Sequence, residues 1–214
     1  MTENEKKIVK RFHELYYNGP DTSGRIYENT YWMGTSCLKC PLDLWIYQEI
    51  MYEVRPDLII ETGTHAGGSA LYLAHICDLF GAGHVATIDI DKRPRPAHKR
   101  ISYIHGSSSD PETVAKAFDS VKKKERVLVI LDSDHSEEHV SRELKLLASL
   151  VTRGSYLIVE DTNINGHPAY PTFGPGPYEA VQKFIEKNKD FEIDPSREKF
   201  LMTFNPRGYL KRIS

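Results

Sequence analysis

The stretch that decides the fold is VLVILDSDHSEEHVSRELKLLASLVTRGSYLIVED, residues 127–161. Its two apolar runs, at 127–131 and 156–159, are short and unbroken, which is typical of strands that are covered on both faces. An amphipathic stretch at 136–151 lies between them, and Gly154 follows it at a position where helices commonly end. This strand–helix–strand order predicts a parallel βαβ unit.

The same alternation extends upstream. Apolar runs at 58–62, 84–91 and 102–106 alternate with helical stretches at 69–80 and 111–124. We therefore expect an α/β fold with a doubly wound, mostly parallel sheet. Downstream, residues 177–188 predict a helix and 191–213 predict two further strands, with a long Pro- and Gly-rich loop at 162–177 before them. Loops of that length are usually functional or disordered, and its aromatic residues favour a functional one.

The N-terminal part is less regular. A charged helical stretch covers 3–17, and an aromatic group follows at 27–33. Pro41 suits the first turn of a helix, and Pro56 closes that segment. We expect one domain over 1–214, with an N-terminal cap segment at 1–40, a core at 41–214 and a substrate loop at 162–177.

Composition excludes several classes of protein. The 28 Lys and Arg nearly balance the 30 Asp and Glu, giving a net charge of −2, which argues against a nucleic-acid or polybasic membrane protein. No apolar run approaches the ~20 residues that span a bilayer, and the charged N-terminus lacks the apolar segment of a secretory signal. With only 3 Cys, no disulfide framework is implied. We expect a cytoplasmic protein, with no nucleic-acid or membrane partner, for which a homo-oligomer is possible.

Carboxylates lie at the ends of four of the five predicted strands, at positions where chemistry is expected. Ligands of open parallel sheets bind outside the carboxyl ends of the strands. Asp132, Glu160 and Asp161 end neighbouring strands, and three converging carboxylates repel one another unless a cation neutralises them. Oxygen ligands of this kind suit Mg²⁺ or Mn²⁺. His135, three residues after Asp132, could take a proton near neutral pH.

A glycine-rich turn after the first strand predicts a second ligand. In ETGTHAGGS, residues 61–69, Gly63 can make a tight turn, and Gly67 or Gly68 allows close approach of the backbone to a ligand. The spacing differs from G-x-G-x-x-G, and no GK[ST] follows. Asp89 ends the next strand, where a carboxylate can accept the hydroxyls of a ribose. Ser108, after the third strand, offers a hydroxyl beside an adenine.

These motifs together resemble a known family. ETGTHAGGS, TIDI, GSSSD, LDSDH and VED, in this order and spacing, resemble class I S-adenosylmethionine-dependent methyltransferases of the cation-dependent O-methyltransferase kind. LDSDHSEEHV, LIVEDTNINGHP, PTFGPGPYEAV and REKFLMTFNPRGYLKR are more similar still to the cephalosporin hydroxylase/rhamnosyl O-methyltransferase family, over roughly residues 30–213. The resemblance implies a Rossmann-like fold, S-adenosyl-L-methionine and Mg²⁺ (or Mn²⁺) as cofactors, and methyl transfer to a hydroxyl.

The resemblance also implies roles for particular residues. The metal carboxylates would be Asp132, Glu160 and Asp161, with Asp134 as an alternative to Asp132. His135 falls where catechol-type enzymes place a general-base lysine, and His167 is the alternative base. The cofactor would be bound by the residues of the loop and the strand ends, namely Glu61, Gly63, Thr64, His65, Gly67, Ser69, Asp89, Ser108 and Asp132.

The acceptor is expected to be a small molecule or glycosyl group, because sugars often stack on aromatic rings. A sugar hydroxyl is favoured over a polyketide or phenolic hydroxyl. The predicted acceptor pocket combines the N-terminal aromatic group with the long loop, through Tyr31, Trp32, His167, Tyr170 and Phe173.

Other interpretations of the motifs stay open at this point. His135, Glu137 and His167 could form the two-His-one-carboxylate site of an iron hydroxylase. HSEEH, residues 135–139, formally matches an inverted zinc-protease motif. Cys37 and Cys40 form a single C-x-x-C without a second pair. The chain could also bind S-adenosylmethionine without turning it over, although binding alone does not require the metal carboxylates.

Overall fold

A computed structural model describes residues 1–19, 25–122 and 125–214 of the chain. The part of the predicted cap segment at 20–24, and the end of the predicted helix at 123–124, lie outside the described residues. The helices are α1 (Glu3–Tyr16), α2 (Pro41–Val54), α3 (Gly68–Phe80), α4 (Pro111–Phe118), α5 (Glu137–Leu147) and α6 (Pro177–Lys187). The strands are β1 (Tyr31–Trp32), β2 (Thr35–Ser36), β3 (Leu58–Thr62), β4 (His84–Asp89), β5 (Ile101–His105), β6 (Val127–Leu131), β7 (Tyr156–Val159), β8 (Phe191–Ile193) and β9 (Tyr209–Arg212).

Seven strands form one sheet in the order β5-β4-β3-β6-β7-β9-β8. The strands β3 to β7 are parallel to their neighbours, whereas β9 is antiparallel to both β7 and β8. The predicted doubly wound, mostly parallel sheet is therefore confirmed. The strand order reverses between β3 and β6, and the crevice at such a reversal is the usual ligand site of these sheets.

The register brings the predicted strand-end residues to one edge. Thr62 pairs with both Ile88 and Leu131, and Leu131 pairs with Val159. Asp89, Asp132 and Glu160 directly follow Ile88, Leu131 and Val159 in the chain. They therefore lie next to one another at the carboxyl edge of the sheet. Because β3, β6 and β7 are buried along their whole length, the edge is rigid.

Local sequence signals fix the helix ends. Prolines occupy the first turns of α2, α4 and α6, where a missing N–H costs nothing. The Ser136 hydroxyl accepts from the His139 N–H and so caps α5. Helix α4 ends at Phe118, short of the predicted 124. Asp119 and Ser120 follow it, and both compete with the backbone for hydrogen bonds in a helix interior.

Two apolar layers cover the sheet. One face packs against α4, α5 and α6, and the other packs against α2 and α3. A smaller cluster, formed by Tyr17, Cys40, Ile164, Ala169 and Phe204, joins the end of α1 to the loop at 162–177. This third cluster lies beside the carboxyl edge of the sheet and makes the N-terminal segment a cover for it. Among the helices of the described residues, none is long and apolar enough to cross a membrane.

Candidate active site

A single cleft collects most of the predicted site residues. It encloses about 860 Å³ at the carboxyl ends of β3, β4, β6 and β7. Its wall includes the loop after β3, the acidic residues after β6 and β7, the segment 36–39, and part of the loop at 162–177. The cleft thus lies at the strand-order reversal, where the topology predicts a ligand.

Three potential metal ligands converge in this cleft. Asp132 follows β6, Asp161 follows β7, and His135 precedes α5; one ligand atom from each lies within 4.8 Å of the others. His135 Nε2 is 3.2 Å from Asp161 Oδ2. Asp161 has a positive φ of 54°, and its N–H donates to Asn205 Oδ1 at 3.1 Å, which holds the residue in that strained conformation.

Asp134, the alternative ligand, is used differently. Its side chain is exposed, and its Oδ1 accepts from the Ser136 N–H at 2.8 Å. These hydrogen bonds lower the pKa of Asp134. Asp134 therefore supports the turn into α5, whereas Asp132 faces Asp161.

Glu160, predicted as the third metal carboxylate, points to a lysine that the sequence did not single out. Lys39 Nζ contacts Asp132 Oδ2 and lies 2.5 Å from Glu160 Oε1. The Tyr47 hydroxyl also hydrogen-bonds Glu160. The carboxylates of Glu160 and Asp132 thus converge on one cation, while Glu160 itself is almost fully enclosed.

Burial and neighbouring charges have opposite effects on the pKa values of Asp132, Glu160 and Lys39. Burial raises the pKa of Asp132 and of Glu160, and the positive charge of Lys39 limits both shifts. Burial alone would lower the pKa of Lys39, but the surrounding carboxylates raise it well above its usual value. Lys39 is therefore a fixed positive charge inside an acidic site.

The cofactor end of the cleft is built on Asp89. This carboxylate accepts from the His65 N–H and the Asp91 N–H, each at 2.8 Å, and pairs with Arg95 at 3.0 Å. Of the residues predicted to bind the cofactor, those in the cleft wall are Gly63, Thr64, His65, Ser69, Asp89, Ser108 and Asp132. Glu61 and Gly67 are buried and contribute no wall.

Glu61 still bears on ligand binding. It is fully buried, and Thr87 donates a hydrogen bond of 2.6 Å to its Oε2. Its Oε1 has no hydrogen-bond partner in the part of the chain that the structure describes. A buried carboxylate without full hydrogen bonding is costly, and its negative charge lies beside the Gly63 turn that lines the cleft.

The acceptor end differs from the prediction in three residues. Tyr170 and Phe173 line the cleft as expected, but Tyr31, Trp32 and His167 do not contribute to its wall. The Trp32 indole donates to His75 Nδ1 at 2.9 Å, on the outer side of α3. Tyr31 is largely exposed on the short hairpin.

The His167 side chain contacts α6 and not the cleft. Its Nε2 lies 2.9 Å from Glu179 Oε1, and its ring stacks on Tyr178 at 3.6 Å. The long loop folds back on α6 at this point, which takes His167 out of the cleft and leaves His135 as the imidazole beside the acidic cluster.

The cleft wall also contains residues that the sequence analysis did not identify. Tyr17, Arg25 and Tyr27 line the cleft beside Tyr170. Tyr17 and Tyr27 stack at 4.9 Å, and the Arg25 guanidinium lies 5.0 Å from the Tyr170 ring centroid. These residues reach the cleft through the fold of the N-terminal segment, for which periodicity gives no signal.

The geometry does not assemble the alternative metal sites. Glu137 pairs with Lys183 and His167 with Glu179, so neither joins His135. In HSEEH, His135 lies before α5 and His139 within it, where His139 pairs with Glu143. Cys37 and Cys40 are free buried thiols.

Comparison with known proteins decides the family. The family described as rhamnosyl O-methyltransferase/CmcI matches residues 24–213. The chain belongs to the rhamnosyl O-methyltransferase/CmcI family. This confirms the resemblance inferred from the motifs.

Two mycobacterial relatives are similar to this chain over most of their length. It is 40% identical to the rhamnosyl O-methyltransferase of Mycobacterium tuberculosis over 215 residues, covering 96% of this chain and 85% of that protein. It is 41% identical to the rhamnosyl O-methyltransferase of Mycobacterium leprae over 213 residues, covering 96% of this chain and 90% of that protein. A solved structure of CmcI-D160 with Mg and SAM matches with a TM-score of 0.68 at 22% identity, covering 91% of this chain and 81% of that one, and supports the fold.

The residues present fit a divalent ion and a nucleoside cofactor. Two carboxylates that lie within 4.8 Å of each other, with the His135 imidazole beside them, suit a hard dication with a base next to it. The free Glu61 Oε1 and the Asp89 carboxylate lie on the same side of the sheet edge, spaced along β3 and β4. Apart from the buried Glu61, these candidate residues for the two ligands line one cleft.

Proposed function

We propose that this protein is an S-adenosylmethionine-dependent, Mg²⁺-dependent O-methyltransferase that methylates a hydroxyl of a glycosyl acceptor. The observation that carries the proposal is the convergence of Asp132, His135 and Asp161 in the same cleft as Asp89. The names of the mycobacterial relatives support a sugar acceptor.

The acidic residues would hold the metal ion. Asp132 and Asp161 face each other across the cleft floor, and Glu160 shares a cation with Asp132, so the three carboxylates form one set. At the other end, Asp89 would accept the ribose hydroxyls and Ser108 would lie beside the adenine. Glu61 is fully buried and outside the cleft wall, so it would act on the methionine part through its negative charge rather than by direct contact.

The protein's own contribution to the reaction is a base and an oriented pocket. When bound, Mg²⁺ lowers the pKa of a coordinated hydroxyl and S-adenosylmethionine supplies an electrophilic methyl group. The imidazole of His135 would accept the hydroxyl proton, and Asp161 Oδ2, 3.2 Å from its Nε2, would stabilise the imidazolium. Holding both reactants in attack geometry lowers the barrier by up to ~7–11 kcal/mol in favourable systems.

The acceptor would enter between the N-terminal cover and the long loop. Tyr17, Tyr27, Tyr170 and Phe173 present rings, and Arg25 adds donors for ring hydroxyls. Aromatic faces bind the apolar faces of sugars, while the polar groups fix their orientation. We therefore infer a glycosyl hydroxyl beside the metal site.

The direct test is methyl transfer from labelled S-adenosylmethionine to a panel of acceptors. We expect incorporation into rhamnosides or related glycosides with Mg²⁺, and its loss with a chelator. Phenolic and polyketide acceptors complete the panel. Transfer to them alone would contradict the sugar assignment, and transfer that survives chelation would contradict the metal.

Asp161→Asn tests the metal role while keeping the shape of the side chain. We expect it to reduce Mg²⁺-dependent transfer at least 100-fold, because a bound carboxylate and the partner of His135 are both lost. S-adenosylmethionine affinity, measured by calorimetry without metal, should stay within a few-fold. Asp134→Asn is the matched control and should retain activity, since Asp134 is exposed and turned to Ser136.

We also infer a reducing, cytoplasmic setting. All three cysteines are free and buried, and none is placed for a disulfide within the described residues.

A further inference from the structure

Lys39 is the most enclosed positive charge of the cleft. The residue is 2% exposed, and lysine is almost never buried to this extent unless it is paired. Its backbone is fixed on both sides, because its N–H donates to the Cys37 carbonyl at 2.8 Å and Pro41 begins α2 two residues later. The position of the Nζ atom is therefore restricted.

The charges around Lys39 do not balance within the protein. Its Nζ contacts Asp132 and Glu160, and the charges of Glu61 and Asp161 also act in this group. Four carboxylates thus share one ammonium. Removing charges from water without full compensation is costly, so the site needs further positive charge to be stable when ionised.

The ligands of the proposed function supply that charge. Mg²⁺ carries two positive charges, and S-adenosylmethionine carries a net single positive charge through its sulfonium. Together they equal the three negative charges that Lys39 leaves uncompensated when all four carboxylates are ionised. S-adenosylhomocysteine, the product, has no net charge.

The balance also holds across methyl transfer. The carbon–sulfur bond breaks as the carbon–oxygen bond forms, which removes the sulfonium charge. The hydroxyl proton passes to His135, which places one positive charge on the imidazole. The total charge of the cleft is therefore the same before and after the step.

We propose that Lys39 is a positioning residue that sets the charge of the cleft, so that Mg²⁺ and the cationic cofactor together neutralise it. This inference rests on the proposed function. The positive charge of Lys39 weakens the binding of each ligand in proportion to the ligand's own positive charge, because Coulomb energy scales with the product of the charges. Lys39 thereby keeps the affinity for Mg²⁺ low. It also reduces the ratio of the affinity for S-adenosylmethionine to the affinity for S-adenosylhomocysteine.

The test compares three ligands of different charge on Lys39→Gln, whose amide can still donate to the carboxylates. By calorimetry we expect Mg²⁺ affinity to rise about 10-fold or more, S-adenosylmethionine affinity to rise about 3-fold, and S-adenosylhomocysteine affinity to stay within about 2-fold. A purely structural role would instead weaken all three ligands together.

Two variants serve as controls. Lys39→Arg keeps the charge, and its three affinities should stay near those of the wild type. Lys145→Gln removes a charge from the exposed face of α5 and should change none of them. Equal shifts for the three ligands in Lys39→Gln, or weaker Mg²⁺ binding, would overturn the proposal.

Folding of the variant is itself informative. If Lys39→Gln unfolds when purified without metal, we expect it to refold on addition of Mg²⁺, followed by circular dichroism. Failure to refold with Mg²⁺ and cofactor would contradict the proposal. Wild-type protein that binds neither Mg²⁺ nor S-adenosylmethionine would instead refute the proposed function, so the two failures are distinguishable.

Discussion

Asp89 shows how a single carboxylate can be prepared for a ligand. Two backbone N–H groups and Arg95 already occupy part of its acceptor capacity, which fixes the carboxylate plane and leaves lone pairs toward the cleft. The charge and orientation of this group therefore exist before any ribose arrives.

Replacing Asp89 by Asn should weaken S-adenosylmethionine binding about 10-fold or more, because hydrogen bonds to a charged acceptor contribute about 1.5–3 kcal/mol. Calorimetry on the folded variant measures this. Glu192→Gln is the control, since Glu192 is exposed on β8, at the other end of the sheet from the strands beside Asp89. Equal affinities in Asp89→Asn and the wild type would remove Asp89 from the ribose site.

His13 predicts a dependence of stability on pH. Burial lowers the pKa of His13 to about 4, below its ordinary value of 6.5. The unfolded chain therefore binds a proton that the folded chain excludes between these two pH values. Stability is full above pH 6.5 and falls as the pH drops toward 4.

The predicted loss from His13 is up to about 3 kcal/mol at pH 4, from the size of the shift. Urea unfolding of wild type and His13→Leu between pH 4 and 7.5 checks it. The variant should show a flatter profile, whereas the exposed His105→Gln should follow the wild type. Parallel profiles for His13→Leu and wild type would contradict the assignment.

Individual site residues were predictable where sheet geometry fixed them. Asp132 and Asp161 follow adjacent parallel strands, and such strands end at one edge. Lys39 was not predictable, because its place depends on how the segment before α2 folds across that edge. His167 was misplaced for a similar reason, since its pairing with Glu179 is set by the path of a loop without periodicity.

At the scale of elements, the end of β2 and the start of α3 approach each other closely. A Cβ built on Gly68 would lie 2.1 Å from the Ser36 carbonyl oxygen. Only glycine lets these two backbones approach so closely, and the contact carries the chain toward Lys39.

Gly68→Ala should therefore force the two backbones apart and lower the free energy of unfolding by about 1–3 kcal/mol, the usual cost of overpacking. Chemical denaturation measures it. Gly81→Ala is the control, because nothing lies within 4 Å of its added Cβ and its φ of +73° alone should cost about 1–2 kcal/mol. Because the displaced segment leads to Lys39, which opposes Mg²⁺ binding, Gly68→Ala should also bind Mg²⁺ more tightly, whereas Gly81→Ala should not.

The elements themselves were largely predictable. Continuous apolar runs gave β3, β4, β6 and β7, and the prolines marked helix starts. The end of α4 was placed too late, because charge pattern alone does not show where Asp119 and Ser120 stop a helix. Which elements cover the cleft depended on tertiary packing of aromatic residues, as in the cluster around Tyr17 and Phe204.

For the whole molecule, ligand binding and folding are linked through the acidic cleft. A ligand that binds only the folded state at 100 times its Kd stabilises it by about 2.7 kcal/mol. For a chain of this size, we expect saturating Mg²⁺ with S-adenosylmethionine to raise Tm by roughly 5–10 °C. Differential scanning fluorimetry measures the shift.

The same scan of Asp161→Asn should show the cofactor effect but little effect of Mg²⁺. Ca²⁺ at equal concentration controls for ionic strength and tests whether the centre accepts a larger ion. If Mg²⁺ leaves Tm of the wild type unchanged at every concentration, the acidic cluster is not a metal site.

The position of β9 has a consequence for biosynthesis. This strand comes late in the chain, yet it lies between β7 and β8 inside the sheet, and Asn205 just before it holds the backbone of Asp161. While the nascent polypeptide is still on the ribosome, β7 has an open side and Asp161 lacks its anchor. Vectorial synthesis therefore completes β7 well before its neighbour β9, and the anchor of Asp161 forms only after Asn205 has been made.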